Sequence, residues 1–197
     1  LVGDFLYSRA FQMMVGPNDL RVMQILSDAT NTIAEGEVLQ LLNMNDPEVD
    51  EASYLQVIRY KTAKLFEAST ELGAILANAS DIHREQAAAF GRHIGTAFQL
   101  MDDLLDYTAN ATQMGKNAGD DLREGKPTLP LIYLLENGTN EERLLVRAVQ
   151  SSGALDYTQS AAKREADLAL ECIENFPNNA ATEALRGLCI YSLERQT

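Results

Sequence analysis

The most constraining feature of this chain is the spacing of its apolar residues, which recur every three or four positions. The clearest run is Ile94, Phe98, Met101 and Leu105, whose spacing puts these side chains on one face of a helix. No segment shows the alternation of apolar and polar residues that is typical of a half-buried strand. The sequence therefore predicts an all-α fold.

Turn and capping residues divide the chain into successive helices. Gly16-Pro17, Asp46-Pro47 and Pro177 are breaks, and Asp19 (or Asn18) and Asp50 are candidate N-caps. The predicted helices span residues 5–15, about 19–43, 51–79, 80–107, 129–135, a short one from Asn140, 154–176 and 180–195. We find no internal repeat and no linker, so residues 1–197 are expected to form one helical domain.

The length, composition and charge of the chain exclude some classes of protein. A chain of 197 residues with 46% apolar content can bury a substantial helical core. The net charge of −13 argues against non-specific binding of nucleic acid. No apolar run approaches the ~18 residues of a membrane span, and no signal peptide is recognised, so a cytoplasmic location is expected. Cys172 and Cys189 lie on apolar helical faces and are expected to be reduced core residues.

An acidic cluster lies near the end of the fourth predicted helix. Gln99, Asp102, Asp103 and Asp106 stand at i, i+3, i+4 and i+7, which predicts that they share one face. Like charges at this spacing repel each other, and no cationic side chain lies in the stretch to relieve them. A hard divalent cation with oxygen ligands is the natural partner for such a cluster, and a solvated acidic face is the alternative.

Cations stand where they could complement this cluster. Lys61 lies on an otherwise apolar stripe, so it must extend to solvent, pair with a carboxylate or meet a bound anion; Thr62 adds a hydroxyl. The apolar members of this stripe are Tyr54, Val57, Ile58, Leu65, Ala68, Leu72 and Ile75. The polar, glycine-rich segment 108–126 carries Lys116, Arg123 and Lys126, and loops of this length are usually functional or disordered. Carboxylates followed by loop cations suit a diphosphate bridged by Mg²⁺, although surface solvation of the loop cations is the alternative.

Several segments, in order, resemble the trans-polyprenyl diphosphate synthase family. Residues 95–107 resemble its second aspartate-rich motif, and residues 115–130 are similar to the segment that follows it. Residues 60–66 resemble its Lys-Thr motif, while residues 1–10 and 35–41 match further family segments. The resemblance implies an isoprenoid synthase-type helical bundle around a central apolar cavity. It is strongest for the octaprenyl subtype, whose product becomes the side chain of ubiquinone.

The resemblance also implies roles for individual residues. Asp102, Asp103 and Asp106 would bind Mg²⁺, and Lys61, Lys116 and Lys126 would contact the allylic diphosphate. Thr62 and Gln99, with Lys61, would act near the reacting carbon. The implied reaction is repeated condensation of an allylic diphosphate, such as farnesyl diphosphate, with isopentenyl diphosphate. A homodimer is implied as well.

Two departures from the family pattern follow from the same resemblance. The first aspartate-rich motif and an Arg-Arg pair precede, in that family, the segment that matches Leu1, so we expect the domain to be N-terminally incomplete and this chain alone to be inactive. More residues are expected near Arg147-Ala148. Phe11 and Met14 could line the cavity that sets product length, but packing against a neighbouring helix is the favoured alternative.

Three other functions stay open at this stage. A non-catalytic helical subunit of a two-chain synthase would explain the missing first motif but not the intact second motif. A farnesyl or geranylgeranyl synthase would share every motif found here. A terpene cyclase would share the fold but would carry Asn, Ser or Thr and Glu in its second metal motif, which we do not find.

Overall fold

The computed structural model describes residues 1–108, 119–139, 149 and 153–194. Within these ranges the ordered elements are helices, and no strand occurs, so the all-α prediction is confirmed. They are α1 (Val2–Val15), α2 (Leu20–Asn43), α3 (Glu51–Ile58), a π-helical turn (Arg59–Ala63), α4 (Lys64–Leu76), α5 (Asp81–Thr108), α6 (Asp120–Arg123), α7 (Leu129–Asn137), α8 (Ala154–Cys172) and α9 (Ala180–Glu194).

Helix α5 lies at the centre of the structure, between α4 and α8. Its buried residues Leu100, Met101 and Leu104 join a core cluster with Tyr54 of α3 and Leu129 of α7. A second cluster, around Phe90 of the same helix, includes Ile173 and Cys189. Because α5 contributes to both clusters, its carboxyl-terminal end is held in place by packing along its length.

Local capping signals set several helix ends where the sequence predicts them. Asp19 accepts a hydrogen bond from the backbone N–H of Arg21 at 2.9 Å and begins α2. Asp50 accepts from the N–H of Ser53 at 2.8 Å and begins α3. These caps satisfy backbone donors that would otherwise lack a partner in the first helical turn.

The predicted helix over 51–79 is interrupted by the π-helical turn and ends at Leu76. A π turn holds one residue more than an α turn, so it interrupts the regular spacing of the stripe near the turn. Ala68 and Ile75 are buried, as predicted, but Leu65 is 51% exposed. The single stripe predicted through this region is therefore wrong at Leu65.

Two glycines allow neighbouring helices to approach this turn. A Cβ on Gly36 of α2 would lie 2.6 Å from the backbone nitrogen of Lys61. A Cβ on Gly95 of α5 would lie 2.7 Å from the Cα of Ala63. The turn is thus in backbone contact with helices on both sides, and neither position has room for a side chain.

Other helix boundaries also differ from the prediction, since α1 begins at Val2 rather than 5 and α7 ends at Asn137 rather than 135. Helix α8 ends at Cys172 rather than 176, because the chain then turns and places Ile173 and Phe176 against the Phe90 cluster. The predicted loop over 108–126 contains the short helix α6. The helix predicted from Asn140, and the extra residues expected near Arg147-Ala148, lie outside the described residues.

Of the two cysteines, Cys189 is buried and Cys172 is partly exposed, and both are free thiols. Among the described helices, none is both long and apolar enough to cross a bilayer.

Replacing Gly36 by Ala tests the close contact at the π turn. We expect G36A to lower the free energy of unfolding by roughly 1–3 kcal/mol, the usual cost of overpacking a tight contact. Gly73 of α4 is the control, since a Cβ there would meet no atom within 4 Å. G73A should be neutral or stabilising by up to about 1 kcal/mol, because Ala favours helix more than Gly. Urea unfolding of both variants measures the difference, and equal effects would contradict the proposed contact.

Candidate active site

The three predicted metal ligands lie at the carboxyl-terminal end of α5, in different environments. Asp103 is only 5% exposed and turns toward α3, Asp106 is half-buried, and Asp102 is exposed. Consecutive residues of an α-helix point about 100° apart, so Asp102 and Asp103 do not point the same way. The shared face predicted for all three carboxylates is therefore only partly present.

A chain of hydrogen bonds runs from the π-helical turn to the buried carboxylate. The hydroxyl of Thr62 donates to Oε1 of Gln99 at 2.9 Å, and Nε2 of Gln99 donates to Oδ1 of Asp103 at 2.8 Å. The hydroxyl of Tyr54 donates to Oδ2 of Asp103 at 2.6 Å. Nε2 of Gln99 also lies 3.4 Å from Oδ2 of Asp102. The structure thus brings together Thr62, Gln99 and the acidic cluster, as predicted.

Burial gives this cluster unusual electrostatics. It raises the pKa of Asp103 to about 7, although the bonds from Tyr54 and Gln99 oppose the shift. Burial and the nearby charge of Asp121 also raise the pKa of Asp106. The pKa of Tyr54 lies well above its usual value because the ring is buried and faces Asp103. Negative charge at this site is therefore costly until a positive partner offsets it.

Asp121 belongs to the site, although the sequence analysis does not single it out. Its backbone N–H donates to Oδ2 of Asp106 at 3.2 Å, while its carboxylate pairs with Lys126 at 2.9 Å. Lys126 also pairs with Glu124 at 2.7 Å. Burial alone would lower the pKa of Lys126, but its bonds to Glu124 and Asp121 outweigh burial and raise it. The sequence signal that could have predicted this contact is the pair of acidic residues 120–121, which stands between the cations of the loop.

Lys61 pairs with carboxylate and amide groups of α2. Its Nζ lies 3.0 Å from Oε2 of Glu37 and donates to Oε1 of Gln40 at 2.6 Å. Its side chain is about one-third exposed, at 32%. Of the three environments that the sequence left open, the structure therefore selects pairing with a carboxylate at the edge of solvent.

The acidic residues have the chemistry that a hard divalent cation requires. In the described part of the chain, no group of three or more His, Cys, Asp or Glu residues has metal-binding geometry. Within that same part, no ion pair reaches Asp103 or Asp106, yet burial raises the pKa of each. Carboxylate oxygens of this kind, short of positive charge, fit Mg²⁺. The assignment of Asp102, Asp103 and Asp106 as ligands remains a prediction.

The remaining predicted site residues are Phe11, Met14, Arg123 and Lys116. Phe11 and Met14 are in α1, where Phe11 is 43% exposed and Met14 half-buried, so their role in product length remains a prediction. Arg123 pairs with Asp120 within α6. Lys116 lies outside the described residues.

Comparison with known proteins decides the family. The sequence profile of the polyprenyl synthetase family matches residues 1–164. This chain belongs to that family. The resemblance drawn from its motifs is thereby confirmed.

The curated relatives include enzymes that make long prenyl chains. Octaprenyl diphosphate synthase of Escherichia coli K12 is 45% identical over 212 aligned positions, which cover 99% of this chain and 66% of that enzyme. All-trans-nonaprenyl-diphosphate synthase (geranyl-diphosphate specific) of Rhodobacter capsulatus is 44% identical, with 99% and 65% covered. This family member thus spans less than two thirds of the length of each. The alignment with the Escherichia coli enzyme has 212 positions, 15 more than the 197 residues of this chain. At least 15 residues of that enzyme therefore have no counterpart here.

Solved structures share the fold. A polyprenyl synthase from Caulobacter crescentus, in complex with calcium and isoprenyl diphosphate, superposes with a TM-score of 0.91 at 40% identity, covering all of this chain and 65% of that one. Heptaprenyl diphosphate synthase from Staphylococcus aureus gives 0.91 at 26% identity, with 99% and 66% covered. The isoprenoid synthase fold of this polyprenyl synthetase family member is therefore established.

Replacing Asp103 by Asn tests the cost of the buried charge. The pKa of Asp103 is raised in the fold, so ionisation destabilises the metal-free protein as pH rises from about 4 through 7. We expect D103N to raise the melting temperature in EDTA at pH 8 by roughly 2–4 °C for each ~1 kcal/mol relieved, and to raise it clearly less at pH 5.

The control is Asp102→Asn, because Asp102 is exposed on the same helix. D102N should leave the melting temperature in EDTA nearly unchanged at both pH values. Differential scanning calorimetry measures both variants. A D103N protein that is less stable than wild type at pH 8 would contradict the assignment of a costly buried charge.

Proposed function

We propose that this chain carries part of the active site of a Mg²⁺-dependent trans-polyprenyl diphosphate synthase. The full-length protein would condense an allylic diphosphate, such as farnesyl diphosphate, repeatedly with isopentenyl diphosphate. The proposed product is octaprenyl diphosphate, the precursor of a ubiquinone side chain. A homodimer located in the cytoplasm accompanies this proposal, as does a single helical domain to which residues 1–197 contribute.

One observation carries the proposal: the hydrogen-bonded series Thr62–Gln99–Asp103–Tyr54. It joins Thr62 of the Lys-Thr pair to the acidic cluster, which supports one site for the proposed substrate-binding and ion-binding groups. The similarity to octaprenyl and nonaprenyl synthases supports the class of reaction. The calcium and isoprenyl diphosphate named for the Caulobacter crescentus structure support a cation and a diphosphate as ligands here.

In this proposal the acidic residues Asp102, Asp103 and Asp106 would hold Mg²⁺, which would supply positive charge to offset that of the diphosphate. Lys61, Lys116 and Lys126 bind the same diphosphate and favour its departure. Lys126 pairs with Asp121, whose backbone N–H donates to Asp106, and Lys61 pairs with Glu37 of α2. A more highly charged diphosphate can replace these acidic partners. The long, flexible side chain of lysine allows each ammonium group to move from its acidic partner to the diphosphate.

The reaction breaks the bond between the allylic carbon and the diphosphate oxygen. The electron pair leaves with the diphosphate, and an allylic cation results. The double bond of isopentenyl diphosphate attacks this cation, forms the new carbon–carbon bond and then loses a proton. Thr62 holds the amide of Gln99 through Oε1, so oxygen dipoles of this pair are available to stabilise the cation.

Incubating the full-length protein with farnesyl diphosphate, isopentenyl diphosphate and Mg²⁺ tests the proposal. Reverse-phase separation of the products should give octaprenyl diphosphate, and EDTA should abolish it. Product that appears only with a second polypeptide would favour the non-catalytic subunit. Geranylgeranyl diphosphate as the end product, or farnesyl diphosphate that stays unextended although the protein makes it from geranyl diphosphate, would indicate a shorter-chain synthase. Cyclic hydrocarbons would indicate a terpene cyclase.

Replacing Lys61 by Ala tests the proposed diphosphate contact. We expect K61A to lower kcat/KM for the allylic substrate by roughly 10²–10³-fold, as for loss of one charge-stabilising donor. Lys163→Ala is the matched control, because Lys163 is an exposed lysine of α8. Steady-state kinetics of both variants measure the effect, and equal kinetics would exclude Lys61 from the site.

A further inference from the structure

A partly buried ionic cluster contacts the first residue of the π-helical turn and does not belong to the site described above. Glu165 of α8 is only 9% exposed. Its Oε1 accepts a hydrogen bond from Nη2 of Arg59 at 3.1 Å, and its Oε2 lies 2.6 Å from Nδ1 of His93. The three side chains come from three separate elements: the π turn, α5 and α8.

Glu165 is charged in this environment. Burial alone would raise its pKa, but the bonds and charges of His93 and Arg59 outweigh burial and keep the pKa below its usual value. Removing Arg59 or His93 would leave the buried charge of Glu165 without one of its partners, which would lower the free energy of unfolding. The cluster is therefore a firm connection between α8, α5 and the π turn.

The connection is made at the first residue of the turn. Arg59 begins the π-helical segment, two positions before Lys61 and three before Thr62. The middle and end of the turn contact the backbone sites of Gly36 and Gly95. A π turn is rare because its geometry is less favourable than that of an α-helix, so it persists only where the surroundings impose it.

We propose that Arg59, Glu165 and His93 are positioning residues that hold the π turn, and so aim Lys61 and Thr62 at the substrate. This inference rests on the proposed function, in which Lys61 binds the allylic diphosphate. Relaxation of the π turn to a regular α-helix would remove one residue's rotation, about 100°. Thr62 would then leave Oε1 of Gln99, from which it now lies 2.9 Å.

The test uses Glu165→Gln in the full-length protein, with Glu183→Gln as matched control. Glu183 pairs with Arg186 on the surface of α9, in an ion pair of the same kind but remote from the turn. We expect E165Q to raise KM for farnesyl diphosphate and to lower kcat, so that kcat/KM falls roughly 10- to 100-fold. KM for isopentenyl diphosphate should stay at the wild-type value, and E183Q should match wild type throughout.

A merely structural role gives a different pattern. It would lower the fraction of active enzyme, so kcat would fall while KM for both substrates stayed unchanged, and this result would overturn the proposal. If E165Q does not fold, Arg59→Lys is used, which keeps the cation but loses the forked geometry of Arg. It is expected to give the same selective rise in KM for the allylic substrate, and unchanged constants would overturn the proposal.

Amide hydrogen exchange separates this inference from the proposed function. Residues 59–63 should exchange at least roughly tenfold faster in E165Q than in wild type or E183Q, whether or not the protein makes prenyl diphosphates. Absence of product from the wild-type protein would count against the proposed function alone. Exchange that is unchanged at the turn, or faster to the same extent everywhere, would overturn the positioning role.

Discussion

The buried carboxylate of Asp103 is the interaction on which the candidate site depends. Its oxygens accept hydrogen bonds from Tyr54 of α3 and Gln99 of α5. One acidic side chain therefore helps to fix the position of α3 relative to α5. The same burial that makes this geometry firm raises the pKa of Asp103 to about 7. The fold is therefore more stable when Asp103 is protonated, and the ionised carboxylate attracts a cation. This behaviour suits a carboxylate that binds a metal ion next to a diphosphate.

The second structural requirement is an irregular turn in a helix. The π turn over Arg59–Ala63 carries Lys61 and also Thr62, which bonds to Gln99 beside the acidic cluster, and three independent contacts hold this turn. Gly36 and Gly95 permit close backbone approach, and Glu165 binds Arg59 from behind. Strained or uncommon backbone of this kind is often found at functional sites, where the surroundings over-determine it.

The sequence predicts the features that depend on neighbouring residues. The caps at Asp19 and Asp50 and the helical periodicity of α5 are local signals, and the structure confirms them. The inward turn of Asp103 depends on Tyr54, which stands 49 positions earlier, and no local pattern encodes that contact. The resemblance to the family implies one site for Thr62 and Gln99, and the structure joins these two side chains by a hydrogen bond of 2.9 Å.

Features that arise from packing between distant segments were missed. The π turn depends on glycines of α2 and α5, so the periodicity of residues 51–79 by itself predicted an unbroken helix and a buried Leu65. Asp121 reaches the site because the chain after α5 returns to Asp106 through a backbone hydrogen bond. The spacing of residues along the sequence does not predict a contact of this kind between a loop and a helix end.

The most direct test of the account is a crystal structure of the full-length protein with Mg²⁺ and a non-reactive thio-analogue of farnesyl diphosphate. The account predicts Mg²⁺ that is bound to carboxylate oxygens of the Asp102, Asp103 and Asp106 cluster, at about 2.1 Å or through a bridging water, and to the diphosphate. A structure in which the diphosphate is bound while all three carboxylates face solvent, with no ion or bridging water beside them, would contradict it.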